Sequence, residues 1–294
     1  MDLGDKLLQL ALSGIAMGTI YGIVGLGFNI IFNATGVINF AQGEFVMLGG
    51  MVTISLVSAG VPVPLALVIA GLAVAVVGML LERLAVRPVS GAAIISMITI
   101  TIGASMLLRG LGKLLWGPNA QHMTPFSGSV PIHVGSAVVE PQEVWIAGTA
   151  LAIVIAVQLF TNYTLTGKAM RACAINRGAA RLAGINVERM TLLAFGLSAG
   201  LSGLSGGVMA PKTMVAWDSG TPLGVKGFCA AIIGGLGNGT GAVVGGIFVG
   251  LLESLGAGLI SSSYKDAFSL LVLLLVLFVR PGGLLGRGQT KEGL

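Results

Sequence analysis

The sequence predicts an all-α polytopic membrane protein, and three features of its composition indicate that fold class. Hydrophobic residues make up 55% of the chain and charged residues only 9%, whereas about a quarter of the residues in a soluble globule are charged. The mean hydropathy is +0.97. The chain also contains 47 glycines, and small residues allow transmembrane helices to pack closely. The net charge of +5 is interpreted as an orientation signal, and no nucleic-acid partner is expected.

Apolar segments long enough to cross a lipid bilayer, which takes about 20 helical residues, recur along the chain. The first runs from Leu7 to Phe32, and its regularly spaced Gly14, Gly18 and Gly22 predict close packing against another backbone. A second apolar segment is predicted to end near Ala59. The further predicted spans are Pro62 to Glu82, Gly91 to Leu115, Val144 to Tyr163, Thr191 to Met209 and Tyr264 to Val279. With a broken or re-entrant segment before the last span, we expect about eight transmembrane helices in a single transmembrane domain, residues 1–294.

Two segments rich in glycine and polar residues are expected to interrupt helices. One is Asn33 to Glu44, and the other is Gly234 to Gly241, inside an apolar stretch from Gly224 to Ile260 that is too long for one span. Non-helical backbone is tolerated at membrane depth only where it is buried in protein or lines a wet cavity. The first segment is therefore a candidate translocation pathway, with an ordinary interfacial turn as the alternative. The residues expected to line the pathway are Tyr21, Asn29, Asn33, Asn39, Phe40 and Gln42.

Two acidic residues, Glu44 and Glu253, each follow a predicted helix break and are added to the pathway candidates. An acid within a membrane segment is by default a functional hypothesis, because burying its charge is costly. The pair is consistent with a proton or sodium relay. Each acid is equally consistent with a structural acceptor for backbone amides at a helix start, and this interpretation is preferred because no relay partners are visible.

A basic island, Thr164 to Met190, separates two apolar segments. Its cations are Lys168, Arg171, Arg177, Arg181 and Arg189, and only Glu188 opposes them. The positive-inside rule assigns this island to the cytoplasm. Asn176 is a suitable N-cap and Gly184 a suitable terminator for a short helix between them. Such a helix either docks on a soluble partner or is part of a connector that only sets topology.

The remaining loops complete the predicted topology. Arg83 and Arg87 mark a second cytoplasmic loop, and Arg287 and Lys291 place the C-terminus in the cytoplasm. Counting the spans back puts the N-terminus outside. Residues Trp116 to Glu143 then form an external loop.

Several kinds of chemistry have no motif in this sequence. No G-x-x-x-x-G-K-[ST] phosphate-binding loop and no H-E-x-x-H zinc motif occurs. His122 and His133 lack metal-site spacing. Cys173 and Cys229 lie in different predicted compartments, so no disulfide is expected. We therefore expect no catalytic residues, no metal and no cofactor.

Four stretches of the sequence together resemble a known family over nearly the whole chain. They are Gly18 to Gly50, Gly167 to Val187, GGLGNGTGAVVGG and the terminal RPGGLLG, and they are similar to the LivH-type permease of branched-chain amino acid ABC importers. The resemblance implies the ABC importer permease fold in a bacterial inner membrane, with ATP hydrolysed by separate subunits. It also implies that the basic island docks on the ATPase, through Arg177, Ala179, Ala180, Arg181, Leu182, Ala183, Gly184 and Ile185.

The same resemblance implies an assembly and a cargo. The partners would be a second, LivM-type permease, two ATP-binding subunits and an extracytoplasmic solute-binding protein, all around a pathway between the two permeases. The cargo would be a branched-chain or other small amino acid. Sister permeases for urea and amides share much of the pattern. The rival class is an ion-coupled secondary transporter, which requires Glu44 or Glu253 and a proton or sodium gradient, and a receptor without transport is a third class.

Overall fold

The computed structural model describes residues 3–89, 91–134 and 137–286, and these residues form a helical bundle with one small hairpin. The helices are α1 (Leu3–Thr35), α2 (Gln42–Ser58), α3 (Val63–Leu81), α4 (Ile94–Trp116), α5 (Pro141–Tyr163), α6 (Leu165–Ile175), α7 (Arg177–Leu182), α8 (Val187–Met209), α9 (Gly220–Gly234), α10 (Gly239–Leu259) and α11 (Lys265–Val279). Strands β1 (Ile132–Val134) and β2 (Ala137–Val139) pair antiparallel between α4 and α5. Short turns at Glu82–Val86, Arg87–Val89 and Ser262–Tyr264 complete the secondary structure of these ranges.

Within the described ranges, seven helical segments are long and apolar enough to cross a membrane. They contain α1, α3, α4, α5, α8, α10 and α11. Helices α2 and α9 are also apolar but have only 17 and 15 residues, and 15 residues extend about 22 Å, less than the hydrocarbon thickness of about 30 Å. The predicted all-α polytopic class, with about eight spans and broken segments, is confirmed.

Both predicted helix breaks occur. Helix α1 ends at Thr35, and Gly36 has a φ of 71°, a left-handed conformation that glycine adopts without strain. Between α9 and α10, Gly235 and Gly237 have φ values of 104° and 88°, and the Asn238 side chain caps α10. The second break differs in one respect from a re-entrant pair, because α10 has 21 residues and is long enough to span.

The centre of the bundle is held by backbone contacts between α1 and α10. A Cβ added to Gly246 would overlap the backbone of Gly22, and a Cβ added to Gly250 would overlap that of Gly18. Because no hydrophobic force drives helices together in lipid, this close approach supplies the van der Waals contact that holds them. The predicted small-residue stripe on the first span is thereby confirmed.

Helix α8 is the second organising element and packs against both α2 and α3. A Cβ on Gly49 of α2 would overlap the backbone at Gly203, and one on Gly206 would overlap the carbonyl of Val46. A Cβ on Gly203 would lie 2.8 Å from the Cβ of Val74 in α3. These contacts hold the short helix α2 deep in the bundle, where its N-terminus is buried.

Candidate functional site

Glu44, in the first turn of α2, is the centre of a polar cluster inside the bundle. Its side chain is 1% exposed. Its Oε1 accepts hydrogen bonds from Ser105 Oγ at 2.9 Å and from Thr221 Oγ1 at 3.1 Å, and it lies 3.6 Å from Arg109 Nε. One carboxylate oxygen therefore connects α2 with α4 and α9.

The first turn of α9 approaches the same carboxylate closely because glycines line the contact. A Cβ on Gly220 would overlap the Glu44 carboxylate, and a Cβ on Gly43 would overlap the Gly220 carbonyl. The positive ends of two short helices thus meet at one acidic side chain, an arrangement that stabilises a negative charge. Among the described residues, neither Glu44 Oε2 nor Arg109 Nε has a hydrogen-bond partner.

Gln42 joins α2 to α8 beside this cluster. Its Nε2 donates to Ser202 Oγ at 2.7 Å, and its Oε1 accepts from Ser198 Oγ at 3.0 Å. Ser198 Oγ also lies 2.9 Å from the Gly27 carbonyl. All of the polar atoms of the Gln42 amide are thus used within the chain, and the side chain is fully buried.

Glu253 belongs to a separate ion-pair cluster between α9, α10 and α11. Its Oε1 lies 2.7 Å from Lys226 Nζ and 3.0 Å from Lys265 Nζ. Lys226 also pairs with Asp266 at 2.9 Å, and its ammonium lies 5.4 Å from the centre of the Tyr21 ring. Lys226 is not among the residues predicted from the sequence, although a single lysine within the apolar Gly224 to Ile260 stretch indicates a partner for a buried acid.

Asn29 and Asn33 hold the turn between α9 and α10. Asn29 Nδ2 donates to the Asn238 carbonyl at 2.9 Å, and its Oδ1 accepts from Gly237 N at 3.0 Å. Asn33 Nδ2 donates to the Gly237 carbonyl at 3.0 Å. Both amides therefore satisfy backbone groups at a helix break.

Asn39 and Phe40 lie in the non-helical segment between α1 and α2. Asn39 Oδ1 accepts from Ala41 N at 3.1 Å. Phe40 is 38% exposed, and its ring centre lies 5.9 Å from that of Phe228 on α9. Of the eight predicted pathway residues, Phe40 is exposed, Asn33 is half-buried and the other six are buried.

The outward side of α9 continues the surface that begins at Phe40. Thr221 and Val225 are exposed and Phe228 is half-buried. Arg109, from α4, has a side chain that is 26% exposed. The surface therefore combines aromatic, hydroxyl and cationic groups next to the buried Glu44.

The helix predicted within the basic island is present as α7. Asn176 Oδ1 accepts from Ala179 N at 3.0 Å, as expected of an N-cap. Gly184 has a φ of 83°, and the bonds from Gly184 N to the Arg181 carbonyl and from Ile185 N to the Ala180 carbonyl are both 3.0 Å. This pair of bonds is a Schellman motif, so both predicted caps are confirmed.

The residues of α7 and its C-terminal turn divide into an inner and an outer set. Ala180 is buried in a small cluster with Cys173 and Val187, and the Arg177 guanidinium donates to the Ala34 carbonyl at the end of α1. Burial lowers the pKa of Arg177 and raises the pKa of the Cys173 thiol from their ordinary values. Ile185 is half-buried. Among the predicted docking residues, the exposed set is Ala179, Arg181, Leu182, Ala183 and Gly184, with Leu182 93% exposed.

Arg177 and Arg181 therefore do not share an accessible face. Their spacing of four places them on one side of a helix, but Arg177 turns toward the carbonyl end of α1, where a cation is favourable. Arg287 and Lys291, which supported the predicted C-terminal orientation, lie outside the described residues.

The chain is similar to a family of transport permeases in sequence and to a solved structure in fold. The family model described as "Branched-chain amino acid transport system / permease component" matches residues 10–277. The high-affinity branched-chain amino acid transport system permease protein LivH of Escherichia coli (strain K12) is 33% identical, and that of Salmonella typhimurium is 32% identical, each over 97% of both chains. A solved structure, PsaBC from Streptococcus pneumoniae in complex with Fab, is 16% identical with a TM-score of 0.54 over 94% of this chain and 92% of that chain. The likeness to PsaBC shows the fold alone.

Replacing Glu44 tests whether its acceptor atoms hold the cluster together. Glu44→Gln retains a carbonyl acceptor for Ser105 and Thr221, whereas Glu44→Leu removes it and leaves the buried Ser105 hydroxyl unsatisfied, at about 1–3 kcal/mol. We expect the thermal midpoint of the detergent-purified protein to fall further for Glu44→Leu than for Glu44→Gln. Glu140→Leu, which removes a 63% exposed carboxylate, is the control. Equal losses for the two Glu44 variants would mean that the charge, and not the acceptor, is what the fold requires.

Proposed function

The chain belongs to the family of branched-chain amino acid transport permeases, and from this premise we propose that it forms half of the membrane channel of an ATP-driven amino-acid importer. The observation that carries the proposal is the family match over residues 10–277. Family permeases work with other ABC subunits, and this chain contains no phosphate-binding loop motif of its own. The chemical energy is therefore proposed to come from partner ATPases.

The proposed assembly pairs this chain with a LivM-type permease, two ATP-binding subunits and an extracytoplasmic solute-binding protein. We propose that the assembly lies in the bacterial inner membrane, and the exposed arginines and lysine of the basic island support a cytoplasmic position for that island. The C-terminus then lies in the cytoplasm and the N-terminus on the periplasmic side. Residues 116–143, which include the β1–β2 hairpin, are proposed as the external loop.

The proposed ATPase contact is the exposed set of α7. A coupling helix must enter a groove of its partner, and small residues permit a close approach. Ala179, Ala183 and Gly184 offer that surface, while Leu182 offers an exposed apolar anchor. Arg181 is available to acidic groups at the rim of such a groove. Arg177, Ala180 and Ile185 lie on the opposite, inner side of α7, where they attach it to the rest of the protein.

Motion of α7 has a direct route into the bundle. Arg177 binds the carbonyl of Ala34 near the end of α1, and α1 packs backbone to backbone against α10. A push on α7 is therefore transmitted to the α1–α10 pair as one unit. We infer that ATP-driven closure rocks this unit between two packed arrangements.

The wall of the proposed pathway is the surface formed by Phe40, Thr221, Val225 and Phe228. Exposed polar groups at membrane depth are costly against lipid and normally face a partner or a wet cavity. Thr221 is such a group, and the half-buried Arg109 side chain is 26% exposed beside it, which favours a second permease and an amino-acid path on this side. The buried members of the predicted pathway set, such as Glu44 and Gln42, shape this wall from behind.

Reconstitution distinguishes the proposed importer from an ion-coupled transporter. We predict that proteoliposomes containing this chain with its second permease and ATPases take up leucine only when ATP and the loaded binding protein are present. Dissipating proton and sodium gradients should leave the rate unchanged. Uptake driven by either gradient without ATP would refute the proposal.

A charge placed on the outer set of α7 tests the coupling role. We expect Ala183→Asp to leave the protein in the membrane but to reduce ATPase copurification and leucine uptake at least about tenfold, because an unpaired charge in a packed contact costs more than 1.4 kcal/mol. Ala183 is preferable to Gly184, whose positive φ would make any substitution disturb the turn itself. The matched control is Ala120→Asp, another exposed alanine, in the proposed external loop. If Ala183→Asp copurifies normal amounts of ATPase, the proposed docking role is wrong, and the basic island is a connector that only sets topology.

A further inference from the structure

A cavity of about 430 Å³ lies between α1, α5, α6 and the turn before α10. Its size is within the range of small-molecule sites. It is formed on a different side of α1 from the proposed pathway. Phe28 of α1 contacts Phe228 of α9, whereas the cavity is lined by Leu26 and Ile30.

The lining changes from apolar to polar along the cavity. Leu26, Ile30, Val154 and Val157 form the apolar part, and Asn33, Thr161, Asn162, Arg171 and Thr240 form the polar part. Leu26 and Asn33 are seven residues apart on α1, which corresponds to about 10 Å of helix. In the proposed orientation, the polar part lies toward the cytoplasm and the apolar part toward the bilayer centre.

The charge of the cavity is positive. Arg171 is the one charged residue among those that line it, and no lining residue is acidic. One guanidinium nitrogen of Arg171 donates to Asn162 Oδ1 at 2.8 Å, and the remaining N–H groups are free for an anion because no described carboxylate lies within ion-pair distance. A free amino acid also carries an ammonium group, and nothing in the lining complements that charge.

An apolar track leads away from the polar part along α10. Thr240, Val244 and Phe248 lie four residues apart and so share one helix face, and Val244 and Phe248 are 49% and 37% exposed. On the α5 side, Leu151, Ile155 and Leu159 are exposed in the same way. This surface matches an acyl chain that runs from the cavity into the bilayer.

We propose that this cavity binds one anionic phospholipid of the cytoplasmic leaflet. The lipid phosphate lies against the Arg171 guanidinium and the amide groups of Asn33 and Asn162. The upper part of an acyl chain lies against Leu26 and Val154. The site uses the orientation proposed above but is independent of the transport function. A bound lipid would connect α5 and α6 to the start of α10, and so would stiffen the link between the basic island and the bundle.

Native mass spectrometry of the purified full transporter tests this site. With dioleoyl phosphatidylglycerol as the probe, we expect one tightly held lipid per copy of this chain, and weaker retention of dioleoyl phosphatidylcholine. Arg171→Gln should weaken phosphatidylglycerol binding about fivefold, the contribution of one basic residue near a membrane surface. The matched control is Arg189→Gln, another exposed arginine of the basic island that does not line the cavity.

Two outcomes would overturn the proposal. One is an equal effect of Arg171→Gln and Arg189→Gln on lipid binding. The other is stoichiometric displacement of the lipid by leucine, which would assign the cavity to the amino-acid path. Val154→Phe fills the apolar part and should reduce retention of both lipids. If Val154→Phe does not fold, the proposal is tested by the comparison of lipid binding by Arg171→Gln and Arg189→Gln.

Discussion

A lipid bilayer offers no hydrogen-bond partner to an unpaired backbone group or to a buried carboxylate, and the helix ends at Glu44 show how this chain meets that constraint. Two short helices, α2 and α9, begin inside the bundle, and each start leaves amides without an intrahelical acceptor. The Glu44 carboxylate lies at both helix starts, where one oxygen accepts from the hydroxyls of Ser105 and Thr221 and the other has no hydrogen-bond partner among the described residues. These contacts favour a structural role for Glu44 over a relay, and that role stays a prediction. Interrupted helices create polar groups at membrane depth, and those groups make a path for a polar solute feasible.

Close contacts between glycines hold helices of the bundle against one another. Close packing of α1 on α10 through Gly18, Gly22, Gly246 and Gly250 makes these two helices move together. Since the Arg177 side chain of α7 binds a carbonyl at the end of α1, the proposed ATPase contact is connected directly to the α1–α10 pair. Such an arrangement favours rigid-body rocking over local bending.

Local signals in the sequence were sufficient for some of these features. Glycine and asparagine identify the breaks and the caps of α7, because left-handed glycines and side-chain caps act within a few residues. The partners of the charged residues were not predictable in the same way. Glu44 and Thr221 are 177 positions apart, and Lys226 meets Glu253 only because α9 folds back on α10. Arg177 likewise turned inward because the end of α1 lies beneath it, which depends on tertiary packing and not on helical spacing.

The proposal that the Phe40 and α9 surface faces water is tested most directly by cysteine labelling. Val225→Cys is suitable because Val225 is 43% exposed and lies outside the Glu44 hydrogen bonds, and the native Cys173 and Cys229 are both buried and can be replaced by alanine. In the assembled transporter, a membrane-impermeant maleimide should label Val225→Cys. It should not label Leu274→Cys, which is 68% exposed on α11 and is expected to face lipid. Labelling of Leu274→Cys but not of Val225→Cys would contradict the account.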